Sequence, residues 1–280
     1  MTESAFFFPH ANYQLFGFLH KPKKGHRDVG IVFCAPFGEE KQESHRTMVN
    51  FARLLAQSGF YVLRFDYYGT GDSQGEWQEA TWESHLSDIS SSFELLRSQG
   101  CKQIGLLGLR LGGTLARFFA DQNPIASFLV LWEPIINVRE YLFECMRANL
   151  TTQMTQYGKI EVNREQLLAG LEQGVPVNLS GYLLTKAFYE QAKTVNLLEM
   201  KPYYHPSMLV HIQKTMGKHA PYWPDFAGQH PHLKSLDVET EIQHFFWNEP
   251  IKFHLSYYEK LFDLTLKWFM GISDELLLEM

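Results

Sequence analysis

The sequence predicts an α/β fold, a mostly parallel central sheet flanked by helices, with an inserted helical cap. Three observations predict it. Short apolar, β-branched runs alternate with stretches whose apolar residues recur at helical spacing, the pattern of a parallel sheet covered on both faces. One run passes through a glycine-rich bend straight into a helix, in LLGLRLGGTLARFF, Leu106 to Phe119. Between residues 135 and 205 the strand pattern gives way to amphipathic helical segments before strands resume. The chain therefore divides into a core of residues 1–134 and 206–280 and a cap of residues 135–205.

The elements follow in order. AFFFPHANYQLFGFLHKP reads as two strands joined by a turn around Pro9 to Asn12. VGIVFCAPFG is a buried strand that stops at Pro36 and Gly38. Ser44 is placed to cap a helix in which Met48, Phe51, Leu54 and Leu55 share a face and which Gly59 ends. FYVLRFD is the next strand, YYGTGDSQG a loop, and TWESHLSDISSSFELLRSQG a helix. QIGLLGL, the bend at Arg110, a second helix and the strand IASFLVLWEP complete the alternation. EQGVPVNLSG breaks the cap. Strands are expected again at SMLVHIQKT and VETEIQHFFW, and SYYEKLFDLTLKWF is the closing helix.

Composition bounds the function. The 280 residues are 45% hydrophobic and 20% charged, ordinary for a globular chain, with a formal charge of −6 and no long basic run. Nucleic acid and an anionic membrane surface are therefore not expected partners. No apolar run reaches the roughly 18 residues that span a bilayer. The first residues, MTESAFFFPHANYQ, have no secretory-signal pattern, so a cytoplasmic location is expected. Cys34, Cys101 and Cys145 are too widely spaced for a disulfide framework or a CxxC metal site, and no metal or other cofactor is expected.

The bend carries the chemistry. Gly108-Leu109-Arg110-Leu111-Gly112 has the form G-x-X-x-G, in which the central side chain is driven out at the carboxyl end of the sheet. Ligands bind at that end in open α/β folds. Leu111 then begins a helix, so its N–H lies at an electropositive position. The bend GLRLGG, together with VFCAPFGEE, FARLLAQSGFYVLRFDYYGTGDSQG and the insertion after LVLWEP, resembles the α/β-hydrolase superfamily over most of the chain. More narrowly, the PF-EE, GLRLG, W-P and late FW segments are similar to the second type of exosortase-system-associated hydrolase-like proteins.

The resemblance implies a serine hydrolase scaffold, with departures. Its nucleophile position falls on Arg110, and a guanidinium cannot give up a proton near neutral pH to attack an ester. The acid position after the strand ending near Gln213 has no carboxylate before Asp225; Glu133 is the alternative acid. His244 is the nearest match to the triad histidine. The backbone N–H groups of Phe37 and Leu111 take the place of an oxyanion hole.

An arginine fork suits a carboxylate or phosphate, and a charge held in a closed pocket needs a partner. Glu39, Glu40 and Glu133 are the internal candidates. The candidate catalytic set is Arg110, His244, Glu133 and Glu40, and the candidate ligand contacts are Phe37, Glu39, Leu111, Trp132, Phe246 and Trp247. The function expected is binding of a small acyl, ester or carboxylate-bearing molecule at Arg110 under the cap. It would proceed either without catalysis or with water-attack or lyase-type chemistry. The alternative is an ester or peptide hydrolase with a substitute nucleophile, Cys34 or Ser73. A homodimer remains open.

Overall fold

The computed structural model describes residues 1–23, 27–179, 181–213, 221–239 and 255–278. Strands β1 (Thr2–His10) and β2 (Tyr13–Lys21) form an antiparallel hairpin, turning at Ala11 and Asn12. Then come β3 (Val29–Cys34), α1 (Glu39–Gln57), β4 (Tyr61–Phe65), α2 (Trp82–Ser98), β5 (Gln103–Leu109), α3 (Leu111–Gln122) and β6 (Leu129–Trp132). The segment after β6 holds α4 (Val138–Tyr157), α5 (Arg164–Glu172), the small hairpin β7 (Val177–Leu179) and β8 (Tyr182–Leu184), and α6 (Lys186–Ala192). Next are β9 (Ser207–Gln213), α7 (Trp223–Gly228), β10 (Leu233–Glu239) and α8 (Leu255–Leu278).

The main sheet runs β1-β2-β4-β3-β5-β6-β9-β10. Every pairing from β4 to β10 is parallel, and β2 joins β4 antiparallel. All residues of β3 and β6 are buried, as strands covered on both faces must be. Alternation sorts their side chains. Ile31 and Phe33 join Phe51, Leu55, Trp132 and Phe269 on the side of α1 and α8. Val32 and Cys34 join Leu115, Phe119 and Phe93 on the side of α2 and α3.

Three expectations need correction. Helix α1 begins at Glu39, so Ser44 lies inside it and its hydroxyl donates to the Glu40 carbonyl at 2.6 Å. Gly38, at φ 59°, turns the chain directly into the helix, and Glu39 and Glu40 suit the positive end of its dipole. Among the described residues the last strand is LKSLDVE, which overlaps VETEIQHFFW only at Val238 and Glu239; residues 240–247 of that stretch lie outside the described residues. The strand occupies one edge of the sheet and buries little beyond Val238, so its apolar pattern is weak. The segment between β6 and β9 is not wholly helical, because EQGVPVNLSG supplies β7.

Candidate functional site

Arg110 stands between β5 and α3 at φ 53°, ψ −123°. A non-glycine residue in so sparse a region costs about 1–3 kcal/mol, and persists only where its surroundings fix it. They do so here. Its N–H donates to the Trp132 carbonyl at 3.0 Å, and its own carbonyl accepts from Gly113 N–H at 2.9 Å. A Cβ at Gly112 would lie 2.1 Å from the Cys34 carbonyl oxygen, and one at Gly108 would lie 2.4 Å from the Gly112 carbonyl oxygen. These two glycines let α3 start against the end of β3.

The Arg110 side chain does not reach out into solvent. Its Nε donates to Glu40 Oε1 at 3.0 Å, with the two side chains 12% and 17% exposed. The Tyr141 hydroxyl donates to Glu40 Oε2 at 3.2 Å, and the guanidinium carbon sits 5.6 Å from the Tyr141 ring centroid. Bend, first turn of α1 and α4 are thereby tied together. Burial works most strongly against the Arg110 charge, but Glu40, Tyr141 and Glu133 together outweigh it and hold the pKa above its ordinary value. Glu133, at φ 44°, also favours that charge and accepts the Ile212 N–H at 2.8 Å through Oε2. Cys145 lies beside Tyr141, and burial pushes its thiol up to about 12.

Two cavities flank this assembly. Arg110, Glu133 and Tyr141 line one of about 390 Å³. Leu111, next to Arg110, and Lys41, next to Glu40, line the larger with Phe37; its volume is about 700 Å³. Its wall is aromatic. The Phe37 ring lies 5.3 Å from Trp77, 6.0 Å from Tyr182 and 6.2 Å from Phe188. Tyr182 and Phe188 come from the segment between β6 and β9, and Gln42 of α1 donates to the Tyr182 hydroxyl at 2.6 Å. The polar wall includes Lys41, whose ammonium pairs with Asp66 at 2.7 Å. His85 lines the same cavity, stacked on Tyr67 at 4.4 Å; burial takes its pKa down to about 3. Its Nε2 has no hydrogen-bond partner among the described residues.

The remaining candidates separate. Trp132 is a core residue, fully buried 5.0 Å from Phe51 on the far face of the sheet, and it lines none of these cavities. Glu39 is exposed on the first turn of α1 and also lines none of them. Cys34 is fully buried, and desolvation raises its thiol to about 12, so it has no thiolate to offer near neutral pH. The Ser73 hydroxyl donates to the Asp66 carbonyl at 2.5 Å and accepts the Phe16 N–H at 2.8 Å, which fixes it in its turn. His244, Phe246 and Trp247 lie outside the described residues. Sequence reasoning missed Lys41, Asp66 and His85. None carries a motif, since they share a wall only where α1, α2 and the end of β4 come together.

This frame is found in known proteins. The family model described as serine aminopeptidase, S33, matches residues 25–224. The chain belongs to this α/β-hydrolase family. Over 151 residues the S33 chain is 27% identical to an uncharacterized 31.7 kDa protein of the traX-finO intergenic region in Escherichia coli; the match spans 51% of each, about half the relative's length. Among solved structures it is similar to Est1E from Butyrivibrio proteoclasticus with ferulic acid bound, at TM-score 0.66 and 17% identity, covering 94% of this chain and 98% of that one. It is similar also to proline iminopeptidase from Mycobacterium smegmatis, at TM-score 0.64 and 13% identity, covering 98% and 100%. At such identity these likenesses show the fold. Among the described residues no helix is long and apolar enough to cross a membrane.

Proposed function

We propose that this S33 family member binds a small acyl, ester or carboxylate-bearing molecule beneath the cap of residues 135–205 and forms no covalent intermediate with it. One observation carries the reading: the residue at the bend is an arginine, ion-paired at 3.0 Å with Glu40. It offers neither a hydroxyl nor a thiol, and neither substitute is free to act, Cys34 being held as a neutral thiol and Ser73 being spent on its turn. The cavity beside it, of about 700 Å³ and walled by aromatic rings, falls in the range that takes small molecules. Est1E holds ferulic acid, and an aryl acid of that kind suits Phe37, Trp77 and Phe188. The similarity to exosortase-associated proteins of the second type points to a cytoplasmic ligand from polysaccharide or natural-product metabolism.

A second reading rests on Glu133, which shares a cavity with Arg110. Arg110 would stabilise a developing anion while His244, with Glu133 or Glu40, moves a proton or activates water. Intact-mass analysis after fluorophosphonate treatment, beside turnover of p-nitrophenyl acyl esters, tests both. Binding alone gives no adduct and no turnover. Turnover without an adduct moves the conclusion to the second reading. An adduct on any hydroxyl or thiol overturns both.

A further inference from the structure

Next to the large cavity lies an annex of about 280 Å³ between α1 and the sheet. The two share Ala35, Pro36, Lys41, His45 and Asp66 as lining, so they form adjoining compartments. Arg64 lines the annex. It occupies an inward position of the apolar strand YVLRF, paired across to Phe18 on β2 and Phe33 on β3, both of which also line the annex. It is the one charged residue of that strand, flanked across the sheet by two phenylalanines.

Among the described residues Arg64 has no carboxylate in contact. Its Nε donates to His20 Nε2 at 3.1 Å, and its guanidinium carbon lies 5.1 Å from the Phe18 ring centroid. His20 Nδ1 faces Glu3 Oε1 at 3.1 Å, and Arg53 Nε holds the same oxygen at 2.7 Å. The Glu3 charge is thus taken up by Arg53. Asp66 is likewise taken up by Lys41 at 2.7 Å, and Asp72 is exposed at the annex rim. Nε is committed and the plane of the guanidinium is set, leaving the two terminal nitrogens as a fork without a protein acceptor among the described residues. Burial draws the Arg64 pKa down to about 10, which is the sign of a cation whose charge is incompletely compensated. His45, kept neutral near pH 7 by burial, stands where the compartments meet.

We propose that Arg64 is the anion anchor of the ligand site: a carboxylate borne by a molecule whose aryl or acyl body lies in the aromatic cavity is held end-on by its two terminal nitrogens. This rests on the ligand-binding reading above and moves the anion from Arg110, which already has Glu40, to the arginine that has no such partner. Two parallel N–H···O bonds to a carboxylate are the geometry that such a fork provides.

The test is calorimetric titration of the full chain with cinnamate and with its neutral isostere cinnamamide. The acid binds about ten-fold more tightly than the amide, the scale of a charged hydrogen-bonded contact. In Arg64→Gln that preference disappears while amide affinity is kept, and Arg64→Lys retains part of it. A measurement on the unaltered protein guards against misfolding of the variants: cinnamate slows phenylglyoxal modification of Arg64, and cinnamamide does not. If acid and amide bind equally, or cinnamate leaves Arg64 modification unchanged, the anchor is elsewhere and the inference falls while the ligand-binding reading stands. If neither compound binds, both fall.

Discussion

Two arginines, each at the end of a neighbouring region of one sheet, have opposite surroundings. Arg110 is surrounded by acceptors, with Glu40 in contact and Glu133 nearby. Arg64 lies against Phe18, Phe33 and a neutral imidazole, and the carboxylates of Asp66 and Glu3 act on it only from a distance. The residue at the glycine bend is satisfied internally by Glu40, whereas the residue that no motif marks has no carboxylate in contact among the described residues. Position in a motif predicts where a side chain starts; only its partners decide whether it is available to a ligand.

The sharpest way to break that contrast is to strand Arg110. Glu40→Ala leaves a buried guanidinium without its carboxylate and should cost about 3–4 kcal/mol in urea denaturation. Adding Arg110→Met should recover most of it, because an apolar side chain needs no partner. A loss below about 1 kcal/mol for Glu40→Ala would mean that the pair is solvated like a surface ion pair. Next in size is Gly112→Ala. Its methyl would meet the Cys34 carbonyl at 2.1 Å, a backbone atom that cannot swing aside, so about 2–3 kcal/mol should be lost. Unchanged stability would show that α3 does not sit as tightly on β3 as the geometry requires.

The third test uses pH. His20, His85 and His230 are drawn by burial from an ordinary 6.5 to about 4, about 3 and about 3. Each folded value is depressed, so the neutral form contributes stability that is present above pH 6.5 and lost as pH falls towards the folded values. Asp88 runs the other way: burial raises it from 3.8 to about 6, so its contribution is present below 3.8 and lost as pH rises through 6. Three groups oppose one, and the denaturation midpoint should fall between about pH 7 and pH 5. A flat or rising profile would contradict burial of the histidines. The smallest effect sharpens the comparison most. Arg64→Gln strands no carboxylate and should cost only about 1 kcal/mol, the worth of its bond to His20. A loss as large as that of Glu40→Ala would place the two arginines in one structural class.

Much of this architecture can be read from local pattern. Continuous apolar runs identify β3, β5 and β6, and the glycines at 108 and 112 identify the bend, because both signals lie within a few residues of chain. The start of α1 was hidden because Ser44 satisfies the usual preference for a capping residue, while the real start uses backbone freedom at Gly38. The edge strand β10 was displaced because it buries too little to show a pattern. Trp132 departs from the expected ligand contact for a different reason. A strand end in sequence does not reveal which of two faces its last side chain takes, and here it enters the core.

The sequence by itself determined that a cation stands at the bend between a buried strand and a helix, since the bend needs its glycines for geometry and leaves the central residue chemically unconstrained. Only the tertiary structure decided what that cation touches. Glu40 lies 70 residues away along the chain and Tyr141 lies 101 residues from Glu40, and they meet because α1 and α4 converge over the ends of β3 and β5. The same holds for Arg64: its place in YVLRF is plain, but its lack of a carboxylate follows from Arg53 holding Glu3 and Lys41 holding Asp66. Charge pairing depends on distances of a few ångströms between elements, and short-range sequence pattern carries no information on that scale.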